Sequence, residues 1–175
     1  MASPPLIARL LLDAQNDFLN VADPIPADPP RERLPGLNHP AWVIAHTANG
    51  YDGAVNAYAQ GKTRDSFDPW HLEWSARQSD AGREPVETSL EDARAALHRV
   101  FRLGGDFVRT VTEDDLTLMR VRDSGGRQEE VTVAYLLAHA VAHLYTHASE
   151  LNVIGVSMGL AEHGFPGKLR NTRGT

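Results

Sequence analysis

The sequence predicts an all-α protein, a four-helix bundle with long crossover loops. Three observations carry that prediction. Apolar residues recur at helical spacing in four long stretches, two of the connections between them are long and rich in breakers, and strand-like alternation is scarce. At 175 residues the chain fits a single domain over 1–175 with room for a sizeable core.

The first helix is expected over about residues 5–21. Leu6, Leu10 and Phe18 keep a helical stripe there, and Pro4 and Pro5 suit a first turn. The stretch from Ala22 through Pro40 carries six prolines, Pro40 included, and Gly36, which dictate a long irregular connection. The second helix is expected over 40–60, capped by Asn38 and ended by Gly61. Gly50 and Gly53 weaken it, and they permit close packing or approach to a cavity. The stretch 62–87 is polar and aromatic and reads as a loop with one helical turn around Trp70 to Arg77. Phe67, Trp70 and Trp74 require that loop to pack against something, and the metal-bearing face described below is its expected place.

The third helix is expected over 89–111, with Ser89 and Asp92 resembling a capping box. Leu90, Ala93, Leu97, Val100, Phe101, Phe107 and Val108 form its core stripe, and Gly104-Gly105 predicts a kink or break. Leu116, Leu118 and Val121 then lead to Ser-Gly-Gly at 124–126, a short hairpin or a loop. The fourth helix, expected over 132–158, would span about 40 Å at about 1.5 Å per residue. Gly155 and Gly159 bring it to an end, and the Gly-rich, basic tail 159–175 is expected to be mobile or packed at an interface.

Composition narrows the function. A net charge of -6 argues against a nucleic-acid partner, which wants a concentrated basic surface. Fifteen Arg against two Lys reads as the codon bias of a GC-rich genome. No run approaches the ~18 apolar residues of a membrane span, so no membrane is expected. The N-terminus lacks the basic start of a signal peptide, and the expected compartment is the cytoplasm. Zero cysteines remove disulfides, thiolate ligands and Cys nucleophiles together, so a metal must be held by His, carboxylate or water.

The chemistry concentrates in LLAHAVAHLYTHASEL, where His139, His143 and His147 stand at four-residue steps. Four residues rotate a helix by about 400°, about 40° net, so consecutive members share a face. Imidazoles at i and i+4 chelate a metal ion, and the apolar surroundings point these rings into the interior. A lone buried His is usually a satisfied core residue; three at chelating spacing ask for more. His143 and His147 are the expected ligands from this helix. His46, mid-helix in WVIAHTANGYD, is the best third. Three neutral imidazoles leave coordination open, which belongs more often to catalytic than to structural sites. All-nitrogen ligation suits a divalent Zn, Ni, Cu, Fe or Co ion.

The W-x-x-x-H of the second helix, Trp42 to His46, together with LLAHAVAHLYTHASELNVI, resembles the DinB-like superfamily. That group includes bacterial thiol-dependent S-transferases and the mycothiol-dependent maleylpyruvate isomerase. The resemblance covers most of the chain in order. It implies a metal held by His46 from the second helix with His143 and His147 from the fourth, and members often dimerise, which implies a homodimer. The chain departs from the family after the last ligand, where His147-Ala-Ser-Glu replaces the frequent Arg-Gly-Gln or Asn-Gly-His.

Two residues extend the candidate set. Glu150, at i+3 from His147, either accepts that imidazole's second N–H or is a solvated or ion-paired glutamate. His139 is an alternative chelate partner for His143, a hydrogen-bond partner behind the site, or a core residue. Asn49 and Tyr145 either line the cavity or pack, with packing favoured for Tyr145. Trp70, His71 and Trp74 either wall a pocket or anchor their loop. Asp13 and Asp17 read most simply as an exposed acidic pair, and Arg120, Arg122 and Arg127 as solvated surface rather than a site for an anionic cosubstrate. His39, His98 and His163 have no partner spacing and receive no role.

Three function classes follow. The first is a metal-dependent S-transferase or isomerase acting on a small-molecule electrophile, with the thiol supplied as cosubstrate, of mycothiol or bacillithiol type. The second is a metal-dependent hydrolase with Glu150 or His139 as proton acceptor. The third is a non-enzymatic metal- or ligand-binding stress protein.

Overall fold

The computed structural model describes residues 4–29, 37–62, 89–124 and 126–164. Four long helices dominate them, as expected. Helix α1 (Leu6–Ala22) and helix α2 (Pro40–Tyr51) are followed by a π-helical stretch, Asp52–Tyr58. Helix α3 (Leu90–Thr110) leads to a one-turn helix α4 (Glu113–Leu116), strands β1 (Met119–Ser124) and β2 (Arg127–Thr132), and helix α5 (Val133–Ser157). The expected loop around Trp70, His71 and Trp74 lies outside the described residues, as does the tail beyond residue 164.

Helix α1 packs mainly on α5, and α2 mainly on α3. The apolar stripes close one core. Leu11 and Phe18 from α1, Leu97 and Phe101 from α3, and Leu137 and Leu144 from α5 are all buried, with Phe18 and Phe101 meeting edge to face at 6.3 Å. Helix α2 is apolar and buried almost all round, whereas α5, apolar as its sequence is, buries one side and leaves Tyr135, His139, Val153 and Val156 on an exposed face.

Several local expectations need correction. The second helix does not stay α-helical to residue 60. From Asp52 its hydrogen bonds lengthen to i→i−5, as in Ala59 N–H to Ala54 O at 3.0 Å, and Gly61, at φ +68°, ends it. This stretch carries buried polar groups that need partners across the core. Asn56 donates to Asp52 Oδ1 at 2.8 Å and to Val100 O at 3.1 Å, and Gln15 donates to the Tyr51 hydroxyl. A π-turn re-aims the side chains that follow it.

Gly104 and Gly105 do not break α3. A Cβ at Gly104 would lie 2.5 Å from Tyr51 Oη and 2.7 Å from Asn56 Oδ1, so the glycine makes room for the neighbouring helix. Likewise Gly155 sits inside α5, and only Gly159, at φ +84°, marks its end. Ser89 caps α3 by accepting from Asp92 N–H at 3.0 Å. The segment after α4 is a hairpin rather than a loop: β1 and β2 pair antiparallel from Met119–Thr132 to Ser124–Arg127.

Asn38 does not cap α2. His39 takes that place, its Nδ1 accepting from Ala41 N–H at 3.2 Å. Asp17 is not part of an exposed pair: it is 5% exposed, accepts from Tyr145 Oη at 3.2 Å, and lies 3.5 Å from His163 Nε2. His98 pairs with Asp23 at 3.0 Å. Arg122 is not simply solvated: it binds Glu129 at 2.7 Å and stacks over the Tyr135 ring at 5.1 Å. Arg120 turns back to Ala59 O at 3.3 Å.

Candidate metal centre

Helix α2 presents His46, and α5 presents His143 and His147 on successive turns facing it. The two helices pack closely enough for all three rings to meet, with centroids 5.0 Å apart for His46–His143 and His46–His147 and 4.6 Å for His143–His147. One nitrogen from each ring lies within 4.8 Å of the others. His46 Nε2 and His143 Nε2 are 3.1 Å apart. Two imidazole nitrogens bound tetrahedrally to zinc at about 2.0–2.1 Å would be about 3.3 Å apart, so the His46–His143 pair matches the spacing of a chelated small divalent ion, with a His147 nitrogen within 4.8 Å of both. Among the described residues no fourth side chain of ligating type joins the group.

Three neighbours fix these rings. Trp42, one turn before His46, stacks on its imidazole with centroids 4.5 Å apart and planes within 9°. Gly50 gives His143 its space: a Cβ there would lie 2.7 Å from His143 Cε1 and 3.1 Å from Nδ1. This is the close approach that glycine in the second helix suggested, and it serves the site directly. Glu150 receives His147 Nδ1 at 3.0 Å through Oε2. Its other oxygen, Oε1, accepts from the Asn38 backbone N–H at 2.9 Å and from Asn38 Nδ2 at 2.8 Å.

Electrostatics favour neutral ligands. Burial, reinforced by the charge of His147, pushes His46 down to about 4. Burial, with His147, His46 and His139 adding to it, pushes His143 down to about 3. Both rings therefore carry free lone pairs at neutral pH, as metal ligation requires. Burial alone would raise the Glu150 carboxyl, but hydrogen bonds from His147 and Asn38 outweigh it and hold the group below its ordinary value.

His139 stands apart. Its residue is exposed, not interior, and its ring lies nearly parallel to His143 at 6.1 Å and to Tyr135 at 6.3 Å. It is not a member of the three-nitrogen group. Asn49 is half-buried on α2, and Tyr145 faces α1 through its bond to Asp17. Sequence reasoning passed over Asn38 because its place just before a helix signals a cap, and nothing local marks a partner 112 residues away.

A helical bundle in which three imidazoles from two facing helices converge on one point defines a class of candidate metal-binding protein. The family model of the DinB superfamily matches residues 10–151, and the chain belongs to that superfamily, whose members are commonly metal-binding. Among curated proteins none matches the chain.

Proposed function

We propose that this protein is a divalent-metal-dependent enzyme that uses a low-molecular-weight thiol, of mycothiol or bacillithiol type, as an S-transferase or isomerase. The observation that carries this reading is the convergence of His46, His143 and His147 without a fourth ligating side chain among the described residues. Three protein ligands with a vacant position are the pattern of catalytic sites, whereas structural sites are closed by four. Zinc, nickel and iron all suit such a donor set. A divalent ion held there would supply Lewis acidity, lowering the pKa of a thiol brought to it.

The chain's own residues do the rest. His46 and His143 stay neutral because burial disfavours their charged forms. Trp42 and Glu150 hold two of the three rings in place and limit the reorganisation needed on ligand binding. The chain has no cysteine, so the reacting sulfur comes from a cosubstrate.

The test is thiol consumption with a panel of electrophiles, with and without added Zn or Ni. The reading expects thiol loss that needs both metal and electrophile and disappears in His143→Ala. Thiol loss that is metal-independent, or no loss with any electrophile, overturns it. Turnover of esters or phosphoesters without thiol would assign a hydrolase instead.

A further inference from the structure

Asn38 lies two residues before α2 and makes no hydrogen bond to the three histidines, yet it makes two of the three hydrogen bonds to Glu150. Its backbone N–H and its side-chain amide both donate to Oε1, at 2.9 and 2.8 Å. A carboxylate held at one oxygen by two donors cannot rotate freely. Its second oxygen, Oε2, is thereby aimed at His147 Nδ1 at 3.0 Å. A carboxylate facing Nδ1 favours the tautomer with the proton there, which leaves the lone pair on Nε2.

We infer that Asn38 is a positioning residue for the metal centre: through Glu150 it fixes the tautomer and orientation of His147. The same geometry gives Glu150 a positioning role, its Oε1 held by Asn38 and its Oε2 facing His147. The inference rests on the metal-site reading for its effect on affinity, but the tautomer is a property of the chain itself. The clamp also ties the end of the proline-rich connection to α5 across 112 residues of sequence, so the start of α2 and the last ligand are set together. Partners that orient metal-bound histidines typically change affinity by about 10–100-fold when removed.

The experiment uses the full chain and two readouts. Zinc affinity is measured by competition with a chromophoric chelator for wild type, Asn38→Ala, Glu150→Ala and the double variant. Asn38→Ala keeps its backbone N–H and is expected to weaken zinc binding about tenfold, at the low end of that range. In the Glu150→Ala background the same change is expected to add nothing, since Asn38 acts only through Glu150. Additive losses, or an Asn38→Ala affinity equal to wild type, overturn the inference. The second readout is nitrogen NMR of His147 in the ion-free protein: the Nδ1–H form is expected in wild type, with the Nε2–H form appearing in Asn38→Ala. An unchanged tautomer overturns the inference, whether or not zinc binds. Failure of wild type to bind zinc, with the tautomer shift intact, counts against the metal reading and leaves the positioning role standing. Asn38→Asp, which preserves shape but sets a second carboxylate beside Glu150, is expected to weaken zinc binding at least as much and guards against a folding defect in the alanine variant.

Discussion

Gly50→Ala puts one methyl group where the structure has none to spare. The added Cβ would lie 2.7 Å from His143 Cε1. Carbon atoms rest at about 3.5–4.0 Å, so the ring must retreat by at least about 0.8 Å. Metal–ligand distances tolerate only about ±0.2 Å, so His143 cannot keep its place in the donor set. A loss in zinc affinity of at least about tenfold is expected, by analogy with the 10–100-fold effects of disturbed ligand orientation. Stability of the ion-free chain should move little, because replacing a helical glycine with alanine gains up to about 1 kcal/mol to set against the ring's displacement. Chelator competition and urea unfolding read the two quantities separately. Gly155→Ala is the control: its methyl meets Leu160 Cδ1 at 3.3 Å and Ile25 Cδ1 at 3.5 Å, far ends of flexible side chains. Zinc binding by Gly50→Ala as tight as wild type would refute the claim that this glycine exists to admit the imidazole.

Three other outcomes are expected. His46 and His143 hold folded values of about 4 and about 3 against an ordinary 6.5, chiefly through burial; the unfolded chain therefore takes up protons that the folded chain refuses. The contribution of these two rings to the stability of the ion-free protein is full above pH 6.5, falls as pH drops from 6.5 through 4, and is lost by about 3; urea midpoints should show that slope, and a His46→Asn/His143→Asn variant with the same slope would assign it elsewhere. Tyr145→Phe removes a hydrogen bond to the buried Asp17 and is expected to cost about 1.5 kcal/mol in urea unfolding, with no change in zinc affinity. His139→Ala should retain zinc that His143→Ala loses, as read by metal analysis of untagged protein, because His139 lies outside the group of converging nitrogens.

The parts of this fold legible in the sequence were those with a strong period or a strong breaker. The four helices follow from apolar recurrence, and the connection at 22–40 follows from six prolines. The convergence of His46, His143 and His147 was legible because i, i+4 histidines in an apolar helix suggest a shared face, and His46 sits in similarly apolar surroundings. What escaped was long-range. Gly104-Gly105 has the local signature of a break, yet Tyr51 and Asn56 need that space, so the helix continues. The π-helical turn has no sequence period of its own, and its buried Asn56 finds its partner, the Val100 carbonyl, on another helix. Asp17 reads as half of a solvated pair until Tyr145 and His163 are brought against it. Asn38 carries a strong cap signal, and a tertiary partner outbid it for the side chain.

The contact between His46 and His143 joins positions 97 residues apart. An ion gripping both would act as a reversible cross-link, subtracting from the freedom of the unfolded chain much as a covalent bridge does. For a closed loop of about 100 residues that loss corresponds to about 4.7 kcal/mol in the chain-entropy model. Depletion of the ion would then do more than silence a reaction. It would withdraw a staple between the two halves of the molecule, and the amount of protein surviving proteolysis in the cell would follow the supply of metal.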